Sequence, residues 1–311
     1  MTNKIVAIQG NHPSKLNPLT DTSIFLANEV QKKNYKIFYY EPRNLSILKA
    51  EVVANGYFIR FDYDKKKVFK ILKKKRLNLK KCKFILIRQD PPFNLEYISS
   101  TYILDLIKNR VKIINDPTSI RNISEKLYSS RYQKFMPSTI FTQNIDKIKK
   151  FLLKYKKVII KPIHSFSRND IHLLTKFDSK LINRFIKKHN FIMCQKYLLK
   201  IYKGDKRVFL INGKIRGAIS RIPKKGSFLS NMSKGAKAVK VILTKREIKI
   251  SRLIAKKLKK ENIFFAGIDF IDQKLNGDIN VTSPTGLKTL YDLSKINLAT
   301  IFWKELKAWK I

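Results

Sequence analysis

The stretch Phe264 to Gly286, FFAGIDFIDQKLNGDINVTSPTG, constrains the fold more than any other part of the chain. Its pattern predicts two strands joined by a tight connection. The first is apolar through Phe264, Phe265, Ile268, Phe270 and Ile271, with one carboxylate, Asp269, in its middle. A polar, turn-forming piece follows, Asp272 to Gly277. The second strand alternates Asp278 and Asn280 with Ile279 and Val281, so the two polar residues share one face and the two apolar residues the other. Two registers are open. With Asn276-Gly277 as a two-residue hairpin turn, Asp269 lies opposite Pro284 and out of reach. With a four-residue loop, Gln273 to Asn276, Asp269 lies opposite Asn280, and Asp278 is one step along on the same face. The second register gathers three hard oxygen donors, the kind of set that holds Mg²⁺ when phosphates and water complete the octahedron. The plain alternative is an ordinary hairpin with solvated polar residues.

A chain of 311 residues, 44% hydrophobic, can bury a sizeable core and divides into two or three subdomains. No apolar run is long enough to cross a bilayer. The start, Met1 to Ile8, has too short an apolar segment for a signal peptide and reads as a first strand. Cys82 and Cys194 show no metal-ligand spacing, which points to a reduced, cytoplasmic location. The formal charge of +45 suggests a polyanion partner. The excess is mostly Lys, however, spread throughout and accompanied by much Ile, Asn, Phe and Tyr, the set that A/T-rich codons encode. No specific nucleic-acid partner and no membrane partner is expected.

Taken in order, Lys4–Ile8 reads as a buried strand, then a helix capped by Asp21, Thr22 or Ser23 runs to about Lys33, then a strand covers Lys36–Tyr40. This order predicts a parallel α/β unit. Glu51–Phe61 reads as a hairpin turning at Asn55-Gly56. The basic stretch Asp64–Lys83 reads as a solvated helix and loop, or less readily as a phosphate holder. Strand Phe84–Ile87 ends at Arg88-Gln89-Asp90-Pro91-Pro92-Phe93, and strand ends of open parallel sheets are where ligands gather. The plain reading of Arg88 is an ion pair to Asp90 or Glu96. Strand Val111–Ile114 leads through Asn115-Asp116-Pro117 into a helix from Ser119 that carries Arg121 to Leu127. A second unit begins near Met136, with strand Ser138–Phe141, helix Ile145–Lys154 and strand Val158–Lys161. His164 and His172 read as structural or surface residues. After Ile192–Leu198 come Gly204-Asp205-Lys206-Arg207, a strand, a turn at Asn212-Gly213, and strand Lys214–Ile222 carrying Arg221. Thr244–Lys260 has an apolar stripe at helical spacing, and the chain is helical from Leu287.

These blocks, in this order, resemble the bacterial glutathione synthetases, which are ATP-grasp ligases. The resemblance covers nearly the whole chain: Arg-x-Asp-Pro-Pro-Phe with the helix after it, Asn115-x-Pro117 with Glu125-Lys126-Leu127, Gly-Asp-Lys-Arg at 204–207, Ser-Arg-Ile-Pro at 220–223, and Asp269 with Asn280-Val-Thr-Ser-Pro-Thr-Gly286. It implies α/β and α+β structure, an ATP-grasp fold preceded by an N-terminal Rossmann-like domain. The expected division is 1–120 as substrate domain, 121–200 as central lid and 201–311 as catalytic domain. It implies ATP and Mg²⁺ (or Mn²⁺) as cofactors, with γ-glutamylcysteine and glycine as small-molecule substrates and a homo-oligomeric assembly.

The same resemblance implies roles. Asp269, Asp278 and Asn280 would hold the metal. Lys126 and Lys161 would meet the nucleotide phosphates, Asp205 would lie near the nucleotide, and Gln195, Tyr197 and Leu198 would meet the adenine. Arg88, Asn231, Ser283 and Thr285 would bind substrate, while Arg207 and Arg221 would stabilise developing charge. The chain departs from the family pattern in four places. Asp278 replaces the usual Glu, and the hairpin connection is one residue longer. The loop Ile163–Asp170 has none of the expected glycines. In the lid, 224–238, the family's two arginines fall on Leu229 and Lys237. Those last departures support an alternative, a catalytically impaired ATP-grasp relative that binds nucleotide or regulates; a related peptide–amine ligase is another.

Overall fold

The computed structural model describes residues 4–63, 68–90, 92–164, 170–227, 229–230 and 235–309. Expectations for 65–67, for Ser165 to Asn169 and for Asn231 lie outside the described residues.

Among the described residues, the first sheet has seven strands. β1 (Ile5–Gln9), α1 (Thr22–Gln31) and β2 (Lys36–Tyr40) form the expected parallel unit, with β1 and β2 in register from Ile5↔Lys36 to Gln9↔Tyr40. Asp21 caps α1, its Oδ1 accepting from the Ile24 amide at 2.8 Å. β6 (Phe84–Ile87) lies parallel on the other side of β1, and β7 (Lys112–Ile114) lies beyond it. Helices α2 (Leu95–Asp105) and α3 (Pro117–Asn122) follow β6 and β7. β1 and β6 are buried on both faces, which is why they read as continuous apolar runs.

Three local expectations are corrected. Glu51–Phe61 does not turn at Asn55-Gly56. It is one strand, β4, paired with β2, with β3 (Leu45–Leu48) and with β5 (Phe69–Asn78). Gly56 serves close approach instead, since a Cβ there would meet the Tyr39 carbonyl oxygen at 2.4 Å. The basic stretch is likewise a strand, β5, not helix and loop. Its Lys70, Lys73, Lys74, Lys75 and Arg76 are exposed along the outer edge of the sheet, where like charges discourage pairing with another chain. The helix from Pro117 ends at Asn122, so Glu125 and Lys126 lie on the connection after it.

The second sheet is antiparallel, in the order β10 (His172–Leu174), β9 (Val158–Pro162), β11 (Ile192–Lys196), β8 (Thr139–Thr142). Helices α4 (Ile145–Tyr155) and α5 (Ser179–His189) bury Ile148, Leu152, Ile182 and Phe185 against Val158, Ile160, Ile192 and Cys194. By alternation, Ile159, Lys161, Met193 and Gln195 take the opposite face.

The third sheet runs β14 (Lys237–Lys240), β13 (Lys214–Ile222), β12 (Asp205–Ile211), β15 (Phe265–Ile271), β16 (Lys274–Asn280). Helix α6 (Lys245–Lys260), opened by a Thr244/Glu247 capping box, packs Ile250, Ile254 and Leu258 onto Val208, Leu210 and Ile268. On the other face, α7 (Leu287–Ser294) and α8 (Leu298–Ala308) join Phe209 and Phe265 to the α1 side of the first sheet. Trp303 fixes that joint, its Nε1–H donating to the Leu26 carbonyl at 2.8 Å.

The β15–β16 hairpin takes neither expected register. Its turn is Asp272-Gln273, both at positive φ (47° and 61°), between the pair Ile271↔Lys274. Two consecutive positive-φ residues match the twist of a hairpin. Ile268 pairs with Ile279 but Phe270 pairs with Leu275, so Asn276, Gly277 and Asp278 stand against Asp269 alone. Asn276-Gly277 is therefore a bulge in the strand, not its turn. Gly277 is required there: its φ is +91°, and a Cβ would meet the Met193 methyl at 2.4 Å.

Asn115, just past β7, stitches the first sheet to this hairpin. Its Nδ2 donates to the carbonyls of Phe265 (2.7 Å) and Val281 (2.6 Å), and its Oδ1 accepts from the amides of Phe264 (2.9 Å) and Phe265 (2.8 Å). All of these groups are buried, so deletion leaves them without partners. Asn115→Ala is expected to lower the unfolding free energy by about 3 kcal/mol. Urea denaturation measures this; a loss under about 0.5 kcal/mol would show that the stitch carries no stability.

Both cysteines are buried free thiols, and burial pushes each up to about 12, away from reactive thiolate chemistry. Among the described residues, no helix is long and apolar enough to cross a membrane.

Candidate functional site

The hairpin, β9 and the connection after α3 converge at one place. Asp269 sits mid-β15, 1% exposed, directly opposite Arg207 of β12. Arg207 forks onto it, Nε to Oδ1 and Nη2 to Oδ2, both at 2.8 Å. Arg221 of β13 adds a bond from Nη2 to Oδ2 at 2.8 Å. Arg221 also faces Asp205 across the β12–β13 ladder and forks onto both of its oxygens at 2.8 and 2.5 Å. Two arginines and two aspartates thus share one buried chain of charge-assisted bonds. Burial works against the Arg221 charge, but Asp205 and Asp269 more than offset it and raise its pKa.

The bulge turns Asp278 towards two lysines. Its Oδ1 lies 3.8 Å from Lys126 Nζ and its Oδ2 lies 3.9 Å from Lys161 Nζ. Lys161 Nζ also lies 3.2 Å from Asn276 Oδ1, 3.3 Å from the Asn276 carbonyl and 3.4 Å from Gln195 Oε1. Asn280 ends β16, its Oδ1 accepting from the Ser283 amide at 3.2 Å. Asp269, Asp278 and Asn280 therefore offer oxygen donors from one hairpin, with two lysines beside them. Among the described residues, no group of three or more His, Cys, Asp or Glu side chains could hold a metal alone. Two carboxylates and an amide suit a hard divalent cation that phosphate oxygens help to coordinate.

Beside this cluster, between the second and third sheets, lies a cleft. Gln195, Tyr197 and Leu198 line it together, with Ile159, Ile171 and Ile271. A flat apolar slot with a few polar groups suits a purine ring. Leu229 also lines it, so the leucine found at an expected arginine position adds apolar surface here. Asp205, expected at the nucleotide, is not among the lining residues; it is fully buried behind Arg221. Lys237 lies on β14 and is exposed.

The substrate-side residues divide. Arg88 is buried and donates to Ser23 Oγ (3.1 Å) and to the Pro284 carbonyl (3.0 Å), rather than to Asp90 or Glu96. Among the described residues its Nη1 has no hydrogen-bond partner. Burial lowers its pKa against the pull of Asp21 and Asp90. Ser283 is buried and donates to the Arg88 carbonyl at 3.3 Å, whereas Thr285 is exposed. His172 packs edge-on against Phe185 at 5.4 Å, as a structural histidine does.

Two residues of this site were not singled out from the sequence. Asn276 reads as a turn residue, and only the bulge reveals it as the buried partner of Lys161 and Asp278. The Glu125 carbonyl accepts from the Ile279 amide at 3.0 Å, tying the Lys126 segment to β16. Burial raises the Glu125 carboxyl, opposed by Lys126 beside it.

Two family models match the chain. That of the prokaryotic glutathione synthetase N-terminal domain matches residues 5–121, and that of the prokaryotic glutathione synthetase ATP-grasp domain matches residues 125–295. Among curated relatives, the glutathione synthetase of Mesorhizobium japonicum is 33% identical over 309 residues, covering 96% of each chain. That of Buchnera aphidicola subsp. Baizongia pistaciae is 35% identical over 301 residues, covering 94% of this chain and 93% of the relative. Among solved structures, D-alanyl-alanine synthetase A from Vibrio cholerae superposes with a TM-score of 0.64 at 15% identity, covering 99% of this chain and 98% of that one. The ATP-grasp ligase PsnB, complexed with a phosphomimetic variant of its minimal precursor, Mg and ADP, gives 0.64 at 11% identity with the same coverage.

Proposed function

The chain belongs to the prokaryotic glutathione synthetase family, and from that membership we propose how its residues carry out the ligation. The fold is the ATP-grasp fold, of mixed α/β content, preceded by the family's N-terminal domain. The chain is an ADP-forming ligase that uses ATP and a divalent metal. It joins γ-glutamylcysteine to glycine.

A carboxylate is a poor electrophile. Transfer of the ATP γ-phosphoryl onto the cysteinyl carboxylate makes an acyl phosphate and releases ADP. The glycine nitrogen then attacks the acyl carbon, the acyl C–O bond to phosphate breaks, and the amine proton is lost. Such transfer is mainly positioning and charge neutralisation. Lys126 and Lys161 supply positive charge where the phosphates would lie. The cleft at Gln195, Tyr197 and Leu198 holds the adenine. Asp269, Asp278 and Asn280 would hold Mg²⁺, which when bound neutralises phosphate charge. A guanidinium has five N–H donors. The bonds of Arg207 and Arg221 to Asp205 and Asp269 run from Nε and Nη2, and in this reading their Nη1 groups donate to the oxyanion that forms as glycine attacks. In this reading Asp205 fixes Arg221 and does not touch nucleotide. Arg88 and Ser283 bind the dipeptide, and Asn231 and Thr285 complete that site. Residues 1–120, 121–200 and 201–311 form substrate, lid and catalytic domains, in a cytoplasmic homo-oligomer.

One observation carries this reading: Lys126 and Lys161 converge on Asp278 beside Asp269 and Asn280. ADP release tests it, with Mg²⁺, ATP, γ-glutamylcysteine and glycine each omitted in turn. Release that requires all four is expected. No release under any combination, with ATP binding retained, would overturn it in favour of a non-catalytic relative.

A further inference from the structure

His164 lies two residues past β9, in the stretch Ile163–Asp170 that lacks the expected glycines. Four segments of the chain meet at it. Its ring reaches from the second sheet to the loop after β6 and stacks on Phe93, with centroids 6.3 Å apart and planes at 21°. Phe93 is itself held against Tyr97 at 5.0 Å. His164 also lines a small hollow of about 20 Å³ with Ser124 and Glu125, next to Lys126, and with Thr282, two residues past Asn280. Stacking, rather than a hydrogen bond to another described residue, holds the ring, so both nitrogens are open to a ligand.

These neighbours put the ring between two parts of the reaction. Lys126, which points at Asp278, is assigned above to the ATP phosphates. Phe93 belongs to the loop that begins at Arg88, assigned above to the dipeptide. The ring thus stands where phosphoryl donor and acceptor would meet. The hollow itself has room for about one water and none for a phosphate. An anion therefore meets the ring on its exposed side.

Charge gives a second observation. Burial, and then the Lys126 ammonium, lower the pKa of His164, so the free ring is neutral at about pH 7. The other charged groups on the surrounding segments are Glu125, in the same hollow, and Lys161, three residues back on β9; the loop after β6 offers the ring apolar Phe93. An anion lying between Lys126 and the ring reverses the balance, because it favours the charged imidazole.

We propose that His164 donates to the terminal phosphate of ATP as an imidazolium, taking its proton from solvent when the nucleotide binds. The proposal rests on the ligase reading above and adds a proton to its nucleotide-binding step. Bound phosphate holds the ring's pKa above that of the free protein. The contact is then fully present below the free ring's pKa and is lost as pH rises through that of the complex.

The chain has four histidines, so their ring signals titrate individually in carbon-13-labelled protein, and His164→Gln identifies this one. Mg·ATP without dipeptide is expected to move its titration to higher pH by about one pH unit, equivalent to roughly tenfold tighter binding of Mg·ATP at low pH than at high. Mg·ADP, which lacks the terminal phosphate, moves it less. A titration unmoved with Mg·ATP bound, or an equal shift with Mg·ADP, overturns the assignment and leaves the ligase reading standing. His164→Phe is the second variant; it keeps the stack on Phe93 and loses both ring nitrogens. Its KM for ATP is expected roughly five- to tenfold above the parent at about pH 6 and within about twofold of it at about pH 8.5, with Tm unchanged. A parent-like KM at both pH values would show that the ring serves packing alone. If the parent does not bind Mg·ATP at all, the ligase reading falls and this assignment with it.

Discussion

Asp269→Asn is expected to lose about 10³-fold or more in turnover and to melt several degrees early. Both effects follow from one carboxylate. Its oxygens accept from Arg207 and Arg221 at 2.8 Å, and in the proposed mechanism it also holds the divalent metal. An amide keeps one acceptor and turns a donor towards a guanidinium. Arg207, 8% exposed, then loses the carboxylate it forks onto, while Arg221 keeps Asp205. Breaking a buried pair from one side costs about 3 kcal/mol or more, or roughly 5 °C in Tm for a chain of 311 residues. Removing a preorganised charge from a phosphoryl-transfer site accounts for the loss in turnover. Circular dichroism finds a temperature at which the variant is fully folded, and turnover is measured there. A folded variant within tenfold of the parent would show that Asp269 serves the sheet and not the reaction.

Lys161→Met has the next largest expected effect, and its character differs. Methionine is unbranched and fills a similar volume, so the substitution removes a charge more than it removes packing. Lys161 stands on the face of β9 opposite α4 and α5, 5% exposed, among Asn276, Gln195 and Asp278. A charge-assisted bond to phosphate is worth about 1.5 to 3 kcal/mol. KM for ATP should therefore rise by roughly 10- to 150-fold. KM for glycine should move little. Initial rates at varied ATP and at varied glycine separate the two. An unchanged KM for ATP would place the triphosphate elsewhere.

Much of this site was legible in the sequence because its parts lie on short local signals. Lys161 closes an apolar strand before Pro162, and Asp269 interrupts another, so both could be placed on strands, while their roles were implied by the family resemblance. The parallel β1–α1–β2 unit was equally plain, since each element is apolar in its own period. What escaped depended on partners far along the chain. Asp205 is local to a Gly-Asp-Lys-Arg turn, but its role is set by Arg221, sixteen residues on and opposite it in the ladder. Arg207 and Asp269 are 62 residues apart and meet only because β12 pairs with β15. Asn276-Gly277 carries the strongest short-range turn signal in the hairpin, yet Asp272-Gln273 makes the turn. Packing decides that contest: the bulge keeps Leu275 and Ile279 buried while turning Asp278 to the lysines. β5 was missed because its exposed lysines mask the strand period, and only pairing with β4 defines it.

The most direct test follows a heavy-oxygen label placed in the cysteinyl carboxylate of γ-glutamylcysteine. If the lysine and carboxylate cluster supports transfer of the γ-phosphoryl onto that carboxylate, one labelled oxygen per turnover appears in the released phosphate, in step with ADP. ADP formed together with ligated product but without label in phosphate would contradict an acyl phosphate at this site.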